Sequence, residues 1–348
     1  LRGSEYPDEW VILGCHYDAW NFGAADPNSG TAMLLTLADA LGKLTREGWK
    51  PRRTIMIAHW DAEEPGILGS VEWVEQLRDA LSRKAVAYIN ADMAVTGPDF
   101  AASASPSLKG PIVDATKSVQ YAETEQTVYE QWCATNDSAA PAMGSLGGGS
   151  DHMGFYMHIG IPSAEVSMAS PVPIYHSSYD DMSWYERFAD KDFIYGPTVA
   201  CIDGVLATRL ADADILPYDV GQYAQDLAAH VEALKRQVES TSLHADFAPL
   251  VEANSRLADA AEQFEKARTL CLATDALEAG AAESANELLI GVEKAFIHPA
   301  GLQGRPWHRS LFASQDPFSG YASWLLPGLR YEIETHSEDG LRRWLAIY

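Results

Sequence analysis

Cysteine is scarce in this 348-residue sequence, with four in all. Cys15, Cys133, Cys201 and Cys271 form no CxxC pair and are too few for a disulfide framework, so they are expected mainly as core fillers and leave the redox compartment open. Cations are scarce too: 25 Lys and Arg face 49 Asp and Glu, a net charge of −24. Such a balance repels phosphate backbones and anionic lipid surfaces, which argues against a nucleic-acid or membrane-surface partner. No apolar run reaches the length of a membrane span, and the opening "LRGSEYPDEW" lacks the basic and apolar regions of a signal peptide. The abrupt entry into the strand-like "EWVILGCH" points to further sequence upstream. The compartment is therefore unknown, with an extracytoplasmic placement, secreted or anchored through upstream sequence, as the expectation. There is no internal repeat.

What is present is enough apolar material, 47% of residues, to bury one large or two modest cores. The first part alternates strand-like and helix-like runs, the pattern of a sheet flanked by helices. Strands are expected over Trp10–His16, Thr54–Trp60 and Ala85–Asp92, and helices over Ser29–Leu44 and Ile67–Leu81. A Gly-, Ser- and Pro-rich middle, including "GSLGGGSD" (Gly144–Asp151) and "MASPVPIYHSSYD" (Met168–Asp180), reads as loops. From about Asp214 the spacing becomes helical, with Tyr223, Leu227, Val231, Leu234 and Val238 on one face and Phe247, Leu250, Val251, Asn254 and Leu257 on another. His298–Gly328 reads as a long loop-like insertion, and "EDGLRRWLAIY" as a closing helix. The expected fold is α/β, a mostly parallel mixed sheet flanked by helices over 1–213, followed by a mainly helical domain over 214–348.

Three carboxylates crowd "WDAEEPG" where the second strand ends, and like charges so close call for a cation. Five candidate ligands lie at or after strand-like runs: His16, Asp26, Glu64, Asp92 and His176. Open sheets gather their sites at the carboxyl ends of strands, where imidazole and carboxylate together suit Zn²⁺. Two histidines with three carboxylates suffice for two ions if one carboxylate bridges. Each residue also has an ordinary role open to it: a hydrogen-bonded structural histidine, a helix cap, a turn former or a solvated acidic helix start.

The stretches "VILGCHYDAWNFGAADPNSG", "RRTIMIAHWDAEEPGILGSVEW", "VAYINAD" and "PIYHSSYD" resemble the di-zinc exopeptidases of the glutamate carboxypeptidase II and transferrin receptor-like family, part of a wider aminopeptidase clan. With "LPYD" and "AFIHPAGLQGRPWHR" the resemblance runs from about Glu9 to Pro327. It implies His16 and Asp92 on one zinc, Glu64 and His176 on the other, Asp26 as the bridge, Asp18 as the carboxylate that orients His16, a cis bond between Asp26 and Pro27, and Glu63 as general base. It also implies a peptide substrate, homodimerisation through the helical part, and an upstream segment and apical insertion that this chain lacks. Tyr175 is expected as either an oxyanion donor or a packing residue. "LGGGSD" matches a pocket-lining segment that includes Gly149, and Tyr321 matches a pocket tyrosine. The family's pocket arginines and lysine are missing: "SAEVSMASP" carries Glu165 instead, and Gly320 replaces the lysine. Glu165 reads as a group for a free substrate amine or as a solvated loop acid. Glu72 and Glu75 match calcium positions but read as solvated helix charges.

The leading expectation is a glutamate carboxypeptidase-like zinc exopeptidase. The alternatives are a di-zinc aminopeptidase and, from another class, a non-catalytic transferrin receptor-like binding protein.

Overall fold

Apolar residues occupy every position of Val11–Cys15, and the strand they form lies between two parallel neighbours in a five-stranded sheet. A computed structural model describes residues 1–122, 124–274 and 280–348. In chain order the elements are β1 (Tyr6–His16), α1 (Asn28–Arg46), β2 (Arg53–Trp60), α2 (Leu68–Gln76), α3 (Arg78–Lys84), β3 (Ala85–Asn90), β4 (Asp99–Ala104), α4 (Pro106–Thr116), α5 (Val128–Thr135), β5 (Ser163–Ala169), α6 (Met182–Trp184) and α7 (Tyr195–Asp212). They are followed by α8 (Val220–Glu239), α9 (Ala248–Thr274), α10 (Ala281–Val292), β6 (Ala313–Gln315), β7 (Ser323–Leu325), α11 (Pro327–Glu334) and α12 (Glu338–Ile347). The sheet order is β2-β1-β3-β5-β4, parallel except for the edge pair β4 and β5. Strands buried on both faces read as continuous apolar runs, as β1 and β3 do.

The chain forms two compact units. The first comprises Leu1–Leu146, Ser150–Tyr156 and Ile161–Ala213; the second comprises Gly147–Gly149, Met157–Gly160 and Asp214–Tyr348. In the first, α1 and α7 pack together. The buried Arg53 pairs with Glu9 at 2.7 Å and donates to the carbonyl of Ala213 at 2.6 Å, just past the end of α7. A cation at a helix C-terminus meets carbonyls that have no partner within the helix. In the second unit, Tyr223, Leu227, Val231, Leu234 and Val238 are the buried face of α8, and Asn254 reaches from α9 to the carbonyl of Ala224.

Several expectations change. The helix over Ile67–Leu81 is two helices, because Leu77 leaves helical geometry at φ −102° and ψ 13°. Met168 and Ala169 belong to β5 rather than to a loop, and the insertion at His298–Gly328 contains the β6-β7 hairpin. Of the cysteines only Cys15 is fully buried; Cys201 is exposed, and Cys133 and Cys271 lie on helix faces turned partly to solvent. Among the described residues no helix is long and apolar enough to cross a membrane.

Candidate metal centre

His16 is the last residue of β1, Trp60 ends β2 three residues before Glu63, and Asp92 follows β3 by two. Since these strands are parallel neighbours, their carboxyl ends lie side by side and bring together residues far apart in sequence. The chain then turns sharply at each. Ala62, before Glu63, has φ 57°; Met93, after Asp92, has φ 42°; His176 itself has φ 55°. Left-handed backbone at non-glycine residues is uncommon and gathers where a side chain has to be aimed.

Asp26 lies between the two histidines. Its Oδ1 is 3.4 Å from His16 Nε2 and its Oδ2 is 3.2 Å from His176 Nε2. Asp92 Oδ1 is 3.2 Å from the same nitrogen of His16, and Glu64 Oε2 is 3.2 Å from the same nitrogen of His176. Single ligand atoms from His16, Asp26 and Glu64 lie within 4.8 Å of one another. Ligands about 2.0–2.2 Å from a tetrahedral ion stand roughly 3.3 Å apart, so these four histidine–carboxylate pairs have the spacing of ligands on a zinc ion. The residues therefore fit a divalent metal such as zinc. The bond from Asp26 to Pro27 is cis.

Asp18 meets both His16 and the turn after β2. His16 Nδ1 bonds the backbone carbonyl of Asp18 at 3.0 Å, with the carboxylate at 3.6 Å. The carboxylate also accepts the backbone N–H of Glu63 at 3.0 Å and of Glu64 at 3.1 Å, holding the turn that carries both. Sequence reasoning missed Asp180. Buried, it accepts the N–H of Ala25 at 2.8 Å and of Asp26 at 3.0 Å, tying the His176 loop to the Asp26 loop. It also missed Ser150, whose hydroxyl donates to Asp92 Oδ2 at 2.8 Å. Only the general rule that buried polar residues have partners could have flagged either.

The charges are strongly coupled. Burial opposes protonation of His16, but hydrogen bonds to Asp26 and Asp92 overcome it and push the imidazole up to about 12. Burial raises Glu63 to about 8 despite the nearby His16, with Asp92, Asp151 and Glu64 adding to the rise. Burial also lifts Glu64 to about 7, helped by Asp26. The rise at Glu63 and Glu64 marks carboxylates crowded together, a repulsion that a cation relieves.

A shallow cleft lined by Trp20, Asp26, Glu64, His176 and Asp180 among others opens beside His176. Tyr175 stacks on His176 with ring centres 3.7 Å apart, and the edge of Trp20 meets the same imidazole at 6.1 Å. Glu165 is not in a loop: it lies on β5 opposite Asn90 of β3 and accepts from the Asn90 amide at 3.3 Å. Burial raises it to about 8, with Asp92 adding. Gly149 and Tyr321 both fall in the second unit, where Gly149 has φ 81° and a Cβ there would lie 2.7 Å from the Tyr321 ring. Glu72 and Glu75 are exposed on α2.

Comparison with known proteins accords with this geometry. Residues 1–191 match the model of peptidase family M28, and residues 245–348 match that of the transferrin receptor-like dimerisation domain. A probable glutamate carboxypeptidase of Arabidopsis thaliana, LAMP1, is 41% identical over 96% of this chain and 48% of its own length. The aminopeptidase NAALADL1 of Mus musculus is 33% identical over 93% of this chain and 46% of its own. The chain thus spans about half the length of these relatives. Among solved structures, a zinc aminopeptidase from Bacillus subtilis aligns with 61% of this chain and 49% of its own, at 19% identity and a TM-score of 0.46.

Proposed function

The chain belongs to peptidase family M28, and from that premise we propose that it is a zinc-dependent exopeptidase that hydrolyses terminal peptide bonds. The observation that carries the reading is Asp26, whose two oxygens each face a different histidine. His16 and Asp92 would hold one zinc, His176 and Glu64 the other, with Asp26 shared. Bound there, zinc supplies Lewis acidity that lowers the pKa of water and polarises a carbonyl.

The protein's own residues do the rest. Glu63, held by the Asp18 clamp on its backbone, takes a proton from water as the oxygen bonds to the scissile carbonyl carbon. When the C–N bond breaks, Glu63 returns that proton to the departing amine, so one water is consumed and the base is restored. Tyr175, fixed by its stack on His176, is assigned as a donor to the developing oxyanion. Glu165 is assigned to substrate binding, and the part matching the dimerisation domain to a homodimer contact.

The relatives are named both as carboxypeptidases and as an aminopeptidase. The carboxypeptidase-like reading leads by motif. Glu165 favours the second, because an acid on β5 raised by its own surroundings suits a substrate ammonium better than a substrate carboxylate. N-blocked and C-blocked dipeptides, assayed with zinc and after chelation, decide between them. A folded chain that takes up no zinc would defeat both and leave the non-catalytic alternative.

A further inference from the structure

Trp60, Tyr88, Asn90 and Ser150 connect the interior of the sheet to Asp92 by consecutive hydrogen bonds. The Trp60 indole N–H donates to the Tyr88 hydroxyl at 3.0 Å, and that hydroxyl donates to Asn90 Oδ1 at 3.1 Å. Asn90 Nδ2 donates to Ser150 Oγ at 2.8 Å, and Ser150 Oγ donates to Asp92 Oδ2, also at 2.8 Å. All four donors are buried, and Tyr88 is stacked on Phe155 with ring centres 4.0 Å apart.

The sense of this chain is forced by chemistry. An indole nitrogen can only donate, so Tyr88 must accept from Trp60 and has one hydrogen left to give. That hydrogen needs an acceptor, which turns the Asn90 carbonyl toward Tyr88 and its NH₂ toward Ser150. The opposite amide orientation would leave the Tyr88 hydrogen without an acceptor. Ser150, already accepting from Asn90, can give its hydrogen only to Asp92, whose carboxylate accepts. Proton donation therefore runs one way from Trp60 to Asp92.

Gly14 is a second and independent observation. It lies on β1 under the Trp60 and Tyr88 pair, and a Cβ there would fall 2.5 Å from the Tyr88 hydroxyl and 2.6 Å from the indole nitrogen. Glycine at this position leaves room for the first link, although a strand interior normally disfavours it.

We propose that Trp60, Tyr88, Asn90 and Ser150 are positioning residues that hold Asp92 by its Oδ2 and so present Oδ1 to metal. Oδ1 is the oxygen that faces His16, at 3.2 Å. The inference rests on the reading of Asp92 as a metal ligand. Partners behind a ligand fix its orientation, and their loss typically weakens metal binding roughly ten- to hundredfold.

The test measures zinc affinity by competition with a chromophoric chelator, alongside melting of the chelated protein, for the wild type, Ser150→Ala, Asn90→Asp and Tyr88→Phe. Ser150→Ala removes the last donor. Asn90→Asp turns a donor into an acceptor and draws the Ser150 hydrogen away from Asp92. Both are expected to weaken one of two zinc equivalents roughly ten- to hundredfold, and Tyr88→Phe to weaken the same one by less. If Ser150→Ala and Asn90→Asp do not fold, Tyr88→Phe, which loses only a hydroxyl, decides. Wild-type affinity in the folded variants overturns the inference, whatever happens to their melting. A wild-type chain that binds no zinc overturns the metal reading itself, and the two failures are thereby separate.

Discussion

Glu63 and Glu64 are adjacent in sequence yet have different surroundings: Glu64 meets His176 and falls in the candidate metal group with His16 and Asp26, whereas Glu63 is not in that group. Glu63→Gln should therefore retain two zinc equivalents while kcat falls by about two to four orders of magnitude, as expected when general acid–base catalysis is removed. Asp26→Ala should lose zinc as well as turnover, because that carboxylate faces both histidines. Metal analysis beside a dipeptide assay checks the pair, and activity near wild type in either variant would contradict the assignment. His16 must give up its proton to bind metal, and its neighbours hold that proton up to about 12. Zinc affinity should accordingly rise with pH across the neutral range, which competition titrations at several pH values would show. The acids and histidines of the centre were legible because each is a ligand type at the end of an apolar run. Ser150, Asn90 and Asp180 were not, since their partners lie 58, 60 and 154 positions away and no local pattern records such pairings.

At the scale of elements, the buried parallel strands were the readable part, because β1 and β3 are unbroken apolar runs. β5 was hidden in "SAEVSMASP", where alanine and serine lower the apolar signal and glutamate suggests a loop, although burial alternates along it. α7 went unread, as its helical spacing continues the Gly- and Ser-bearing middle without a clear start. Asp180 shows what ties the loops between elements. Its carboxylate is buried and accepts two backbone N–H groups of the Asp26 loop. Asp180→Ala leaves both donors without that acceptor, a loss on the order of 2 kcal/mol or more. The variant should melt earlier and release zinc faster, because the Asp26 and His176 loops are no longer joined. An unchanged melting temperature would show that the tie is idle.

For the whole molecule, the raised acids set a direction for stability against pH in the chelated protein. Burial lifts Glu63 from 4.5 to about 8, Glu64 from 4.5 to about 7, Asp151 from 3.8 to about 7 and Glu165 from 4.5 to about 8. An acid with a raised folded-state pKa binds more protons folded than unfolded, so stability falls as pH rises between the two values. His16, raised from 6.5 to about 12, acts in the same sense above its unfolded value, while the lowered Asp92 opposes it at acid pH. The chelated chain should thus lose stability from about pH 4.5 to 8, and chemical denaturation at fixed pH steps would measure the slope. The strand ends that carry the centre also draw its side chains from positions 16 to 176, so an unfolded chain no longer holds them together around an ion. By mass action the melting temperature should then climb with the logarithm of free zinc, making thermal denaturation a gauge of occupancy that requires no substrate.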